Sequence, residues 1–163
     1  MVLPSTPQPA VSRSVVLHLR YPAGWGGPGN PLPVTVAEFC SGTTPSWWSR
    51  PDGLYLDLTG SERLWGRGTD GPAAICRRAR QVLPVTAAGA GPTSLSARLA
   101  AEVAGRSGPG GVFVVAPGSA RAFLTAFPVE VLREHRSQAR RLRALGVRTL
   151  GDLQTVPLDL LRE

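Results

Sequence analysis

The chain has 163 residues, 42% of them hydrophobic, with 19 Gly and 16 Pro, which fits one turn-rich folded domain with or without a small appendage. Its net charge is +7 and all 18 basic residues are Arg, so any chemistry that needs a lysine is excluded; a polyanionic partner is favoured, because a guanidinium fork binds two oxygens at once. Cys40 and Cys76 lack CxxC spacing and predict reduced, partly buried thiols, while the want of any apolar run near about 18 residues predicts a cytoplasmic protein without a membrane span.

Residues 1–12, rich in Pro and Ser, predict a disordered leader. "SVVLHL" (14–19) predicts a buried strand, and "YPAGWGGPGNPLP" after it carries too much Gly and Pro for regular structure. "VTVAEFC" is one short element before a polar loop with Trp47 and Trp48. Residues 54–58 alternate Leu, Tyr, Leu, Asp, Leu, a strand with one buried face. "TGSERLWG" is a turn in which Ser61 caps a short helical turn.

"DGPAAICRRARQVL" predicts a helix, with Pro72 in its first turn and Ala74, Ile75, Ala79 and Val82 as its apolar stripe. "PVTAAGAG" is a strand running into a glycine loop. "TSLSARLAAEVAG" is a helix capped by Thr93 or Ser94 and ended by Gly105. "GVFVVAP" is a strand, and "SARAFLTAF" a short helix ended by Pro128. "VEVLREHRSQARRLRALG" and "TLGDLQTVPLDLLRE" predict helices joined at Gly146 and Val147. The order implies an α/β layer, an α+β sheet with helices on one face, followed by a small all-α module.

"DGLYLDLTGSERLWG", "PVTAAGAGPTSLSARLAAEVA", "GVFVVAPG" and "LRALGVRTLGDL" together resemble, in family order, the palm and thumb of Y-family (DinB/UmuC-like) translesion DNA polymerases. The resemblance covers residues 50–163 continuously and the first strand more weakly. It implies a palm over 13–128, with the fingers replaced by a loop at about 21–50. Over 129–163 it implies a partial helix-hairpin-helix thumb, and no fingers or little finger.

Nucleotidyl transfer in that family uses two divalent ions about 3.5–4 Å apart, which need several converging carboxylates. The family's first strand supplies acids in a pattern like "HVDMDAFYAS", where this chain has "HLRYPAGWGG", placing Arg20 and Pro22 at the acidic positions. The family's "SxDE" becomes "RPDG": Asp52 keeps the aspartate and Gly53 replaces the glutamate. Asp52 is thus the one remaining candidate metal ligand. Asp57, an odd separation away, is expected on the other face as an exposed or turn-bonded carboxylate.

The loop "GAGPTS" lacks the GK[ST] of a Walker A phosphate cradle, so a tight turn with a helix cap is expected there. The family's matching loop carries a lysine near the triphosphate; here Ser94 stands in that place, with Arg98 at the later basic position. The "GVG" thumb turn that approaches a DNA phosphate reads Arg133, Glu134, His135. Side-chain phosphate contacts from Arg133, Arg136, Arg140, Arg141, Arg143 and Arg98 take its place in this expectation, with Leu142 and Leu145 turned to the core.

The resemblance therefore implies a shortened, noncatalytic polymerase-like protein, similar to the ImuB-type subunits of bacterial mutasomes. Its expected role is DNA-binding and accessory, in DNA repair and mutagenic translesion synthesis, at the nucleoid, with no cofactor. Expected partners are DNA, a sliding clamp, a replicative-type polymerase and RecA-like factors. The alternatives are a fragment of an active error-prone polymerase, which would use Mg²⁺, and a decayed gene product.

Overall fold

The structure, a computed structural model, describes residues 14–22, 25, 33–66, 70–132 and 135–157. The leader expected at 1–12, Arg133 and the residues after 157 lie outside them. The chain forms two compact units, Met1–Val114 and Val115–Glu163.

The first unit is built on a five-stranded sheet. Its strands are β1 (Val16–Arg20), β2 (Trp47–Arg50), β3 (Gly53–Asp57), β4 (Ala87–Gly91) and β5 (Val112–Val114), in the order β2-β3-β1-β4-β5. Strand β1 lies at the centre, antiparallel to both β3 and β4. Strands β4 and β5 run parallel, joined by the crossover helix α4 (Ser94–Arg106), as a parallel pair requires.

Side chains alternate between faces along a strand, so the register fixes what each face holds. Leu17 and Leu19 pair with Leu56 and Leu54 on one side and with Ala90 and Ala88 on the other. Helix α1 (Val34–Ser41) covers that face with Val36, Phe39 and Cys40, and α3 (Asp70–Ala79) with Ile75, Cys76 and Ala79. This is the main core; each fully buried leucine in it contributes about 1.5–3 kcal/mol. Both cysteines are free and buried, and burial pushes the Cys40 thiol up to about 12.

The opposite face is covered at β4 by α4. A Cβ on Gly89 would stand 2.1 Å from the Ala101 amide nitrogen and 2.3 Å from the Ala97 oxygen, so only glycine admits the helix this close. Helices thus lie on both faces, which corrects the expectation of helices on one. The glycine-alanine alternation of β4 is the reason: Ala88 and Ala90 fill the main core while Gly89 and Gly91 receive a second helix.

Other expectations also shift. The span 21–50, expected as a loop, contains α1 and β2. Strand β3 is buried on both faces, with Leu54, Tyr55 and Leu56 all nearly inaccessible. Helix α2 (Glu62–Trp65) forms the short turn expected after Ser61. Helix α3 ends at Ala79 and leaves Val82 47% exposed, outside its stripe. Helix α4 runs through Gly105 to Arg106, and its start is fixed by a reciprocal box between Thr93 and Ser96.

The second unit contains α5 (Ala120–Thr125), a 3-10 turn at Val129–Val131, α6 (Arg136–Ala144) and α7 (Leu150–Leu153). The continuous helix expected from 129 does not form, because Leu132 leaves helical geometry (φ −75°, ψ 64°). Gly146 turns the chain after α6 with a φ of +87°, and Thr149 with Asp152 caps α7. Among its described residues only Val115, Val129, Ala139 and Leu150 are buried, and Leu145, expected in the core, is 79% exposed. Among the described residues, no helix is long and apolar enough to cross a membrane.

Candidate functional site

Cross-strand register brings the positions singled out by the motifs together at one end of the sheet. Arg20, Gly53 and Arg50 stand side by side on β1, β3 and β2, on the α4 face. Asp52 precedes Gly53 in the β2–β3 turn. One row further in, on the same face, His18, Tyr55 and Trp48 stand side by side on the same strands.

The three rings form a ladder. His18 stacks on Tyr55 with centroids 4.3 Å apart at 18°, and Tyr55 on Trp48 at 5.4 Å and 4°. His18 is 1% exposed, and neither ring nitrogen has a hydrogen-bond partner. Burial lowers its pKa to about 4, against the pull of Asp52 and with the push of Arg98, so the imidazole is neutral at pH 7. The Tyr55 hydroxyl lies 3.4 Å from both Asp52 carboxylate oxygens. Burial, and then the Asp52 charge, raise the Tyr55 phenol above its ordinary value.

Asp52 meets a guanidinium. Arg98 Nε lies 4.0 Å from Asp52 Oδ2, and Arg98 Nη1 is 3.2 Å from Glu102 Oε1, one helical turn along α4. Arg98 is only 8% exposed, so this arginine, expected at a DNA contact, is instead held in an internal ion cluster. Gly53 adds a steric lock. Its φ is +157°, and a Cβ there would stand 2.3 Å from His18 Nε2 and 2.4 Å from the Leu19 oxygen. The imidazole occupies the space a side chain at 53 would need.

Two magnesium ions require converging carboxylates; this site offers Asp52, already facing Arg98, with Arg20 directly across from Gly53. The residues present do not fit that group. Among the described residues, no cluster of three or more His, Cys, Asp or Glu is placed to hold a metal ion. Asp57 shares the Tyr55 face, where Val16 is its partner across the strands, because Asp52 sits in a turn and the regular alternation breaks there. Its carboxylate accepts the Thr59 amide at 2.9 Å, the turn-bonded role expected for it.

The glycine loop before α4 is a cap. Ser96 Oγ accepts the Thr93 amide at 3.0 Å, and Thr93 Oγ1 accepts the Ser96 amide at 3.2 Å. In the second unit, Arg136, Arg140 and Arg141 are exposed on α6. Arg143 is also exposed, but it pairs with Glu130, which lowers the Glu130 pKa chiefly through that hydrogen bond.

Sequence reasoning missed the ring ladder. Its signal was present in the order of the chain: His18 and Tyr55 each lie two residues from the positions at which the acids are replaced, and a period of two puts them on the same face.

No protein-family model matches the chain. It is 39% identical to DNA polymerase IV of Ralstonia nicotianae over 114 residues, 69% of this chain and 31% of that protein. It is 39% identical to DNA polymerase IV of Halorhodospira halophila over 104 residues, 63% of this chain and 28% of that protein. The chain thus spans about a third of the length of these curated relatives. Among solved structures it is similar to DinB from Sulfolobus solfataricus, with a TM-score of 0.59, 21% identity and coverage of 78% of this chain and 38% of that one. A Dbh ternary complex matches with a TM-score of 0.60 and 22% identity over the same shares. Both likenesses speak to the fold alone.

Proposed function

We propose, from the premise that the chain is a homologue of the DinB-type Y-family DNA polymerases, that it binds DNA without extending it and serves as an accessory factor in damage bypass. One observation carries this reading: the remaining acid, Asp52, faces a buried guanidinium, and Arg20 stands directly across from Gly53. A cation at a magnesium position repels the ions on which nucleotidyl transfer depends.

In this reading the first unit is the palm and the second a partial thumb of helix-hairpin-helix type. The thumb grips phosphates through exposed side chains, Arg136, Arg140 and Arg141, in place of glycine amides. The sequence-independent charge term then dominates, giving modest affinity that falls steeply with salt. A sliding clamp, a replicative-type polymerase and RecA-like factors are the partners such a protein would bring to a lesion, at the nucleoid.

The test is primer extension. Purified chain with primer–template, dNTPs and Mg²⁺ is expected to add no nucleotide, and Asp52→Ala to change nothing. Extension that Asp52→Ala abolishes would overturn the noncatalytic reading and favour a piece of an active polymerase.

A further inference from the structure

We propose that Trp48 is a stacking platform for an unpaired base of single-stranded DNA. The inference rests on the DNA-binding reading above and adds a site to it. Trp48 lies on β2, the edge strand of the sheet, on the face it shares with Tyr55 and His18. Its ring is parallel to Tyr55 within 4°, so one face of the indole is packed against the ladder and the other is turned away from it, beyond the last strand. Among the described residues no further ring covers that outer face, and Trp48 is half-buried, whereas Tyr55 and His18 are 4% and 1% exposed.

The geometry suits a base because the ring is held before anything arrives. Tyr55 is fixed from behind by His18 and in plane by Asp52, and Val16, Tyr55 and Ala97 pack around Trp48. A pre-ordered aromatic loses little rotamer freedom when a ligand stacks on it. An incoming base would add one more layer to an existing series of parallel rings.

The surroundings match a nucleic acid strand rather than an apolar partner. Arg50, two residues further along β2, is exposed on the same face, and its charge is felt at the Tyr55 hydroxyl. An aromatic platform flanked by arginine, in a chain of net charge +7, has the composition of a single-strand groove: rings for bases, guanidinium for the backbone. Bases inside a duplex are stacked on their neighbours on both sides, so the platform selects unpaired ones. Trp47, the next residue back, points to the other face and packs against the main core. The tandem tryptophans therefore divide between a structural and a binding role.

The experiment compares fluorescently labelled oligo(dT) with an abasic strand of equal length by anisotropy at low salt. Wild-type protein is expected to bind oligo(dT) more tightly than the abasic strand. Trp48→Ala should weaken oligo(dT) binding about 5- to 150-fold, the span of about 1–3 kcal/mol per stacked base. It should also erase the preference over the abasic strand and leave the salt slope unchanged. Trp48→Phe should keep part of the preference, and thermal melts establish that both variants are folded. Equal binding of both strands by the wild type needs no variant and would overturn the platform while leaving DNA binding intact; so would a folded Trp48→Ala that binds oligo(dT) as the parent does. If the wild type binds neither strand at low salt, the DNA-binding reading falls and the platform with it.

Discussion

Substituting Gly53 by alanine probes the steric lock at the centre of the site. The added Cβ would stand 2.3 Å from His18 Nε2 and 2.4 Å from the Leu19 oxygen, both below any normal contact. Neither neighbour yields easily. The imidazole is 1% exposed and stacked on Tyr55 at 4.3 Å, and the carbonyl belongs to the central strand. Overpacking of this kind costs about 1–3 kcal/mol. Holding a non-glycine residue at a φ of +157° adds about 1–3 kcal/mol of backbone strain. The expected loss is about 4 kcal/mol, which at about 3 °C per kcal/mol lowers Tm by about 12 °C. Circular dichroism melts and denaturant titration read it directly. Combining it with His18→Ala removes one of the two clashes, so the pair should be less destabilised than the sum of its members. A Gly53→Ala protein that melts with the wild type, or strict additivity in the cycle, would refute the packing argument.

Three further outcomes are expected. The folded-state pKa of His18 is depressed from 6.5 to about 4, so the unfolded chain takes up a proton first as pH falls. The contribution is fully present above about pH 6.5 and lost towards pH 4; at about 1.36 kcal/mol per pH unit it reaches about 3 kcal/mol, and His18→Phe should flatten the denaturant midpoint across that window. Arg98→Met leaves Asp52 and Glu102 without their buried counter-charge and should cost about 3 kcal/mol by denaturant titration, with Asp52→Asn in the same chain recovering part of it. Replacing Arg136, Arg140 and Arg141 with Gln should weaken duplex binding evenly across sequences and reduce the salt slope by up to about 3, at about 0.9 for each contact, with stability moving by less than about 0.5 kcal/mol. An unchanged slope would remove α6 from the contact surface.

Much of the first unit was legible because its signals are local. The β-branched and apolar run at 14–19, the 54–58 alternation, the Thr93 cap and the glycine-bounded strands each specify an element without reference to the rest of the chain. The second helix-bearing face was not legible, since it depends on what Gly89 allows another part of the chain to do. The stripe assigned to Val82 failed for a related reason: Pro84 lies just beyond, and the helix had already ended. The acid positions were placed from motif order, and Arg20 does stand across from Gly53. What motif order did not reveal is where the replacements send their charge. Arg98, placed by the resemblance at the family's later basic position, suggested a phosphate contact, and only its reach to Asp52 shows it engaged internally.

Those replacements depend on one another, and that bears on whether the site can be restored. Gly53 leaves the space that His18 Nε2 occupies; His18 supports Tyr55; Tyr55 and Arg98 together hold Asp52. Returning a glutamate to position 53 alone meets the imidazole and the Leu19 carbonyl before it meets any ion. An aspartate at position 20 alone gives two acids, with Asp52 still facing Arg98. Even Arg20→Asp with Gly53→Glu leaves His18 in the path of the new side chain and a buried cation beside the old one. The expected outcome is that neither single reversion nor the pair yields Mg²⁺-dependent primer extension, and that Gly53→Glu lowers Tm at least as far as Gly53→Ala. Extension by Gly53→Glu would mean that the site tolerates a carboxylate where the packing leaves no room for one, extension by Arg20→Asp would mean that Arg98 does not hold Asp52 away from an ion, and either result would require the interlocked arrangement to be abandoned.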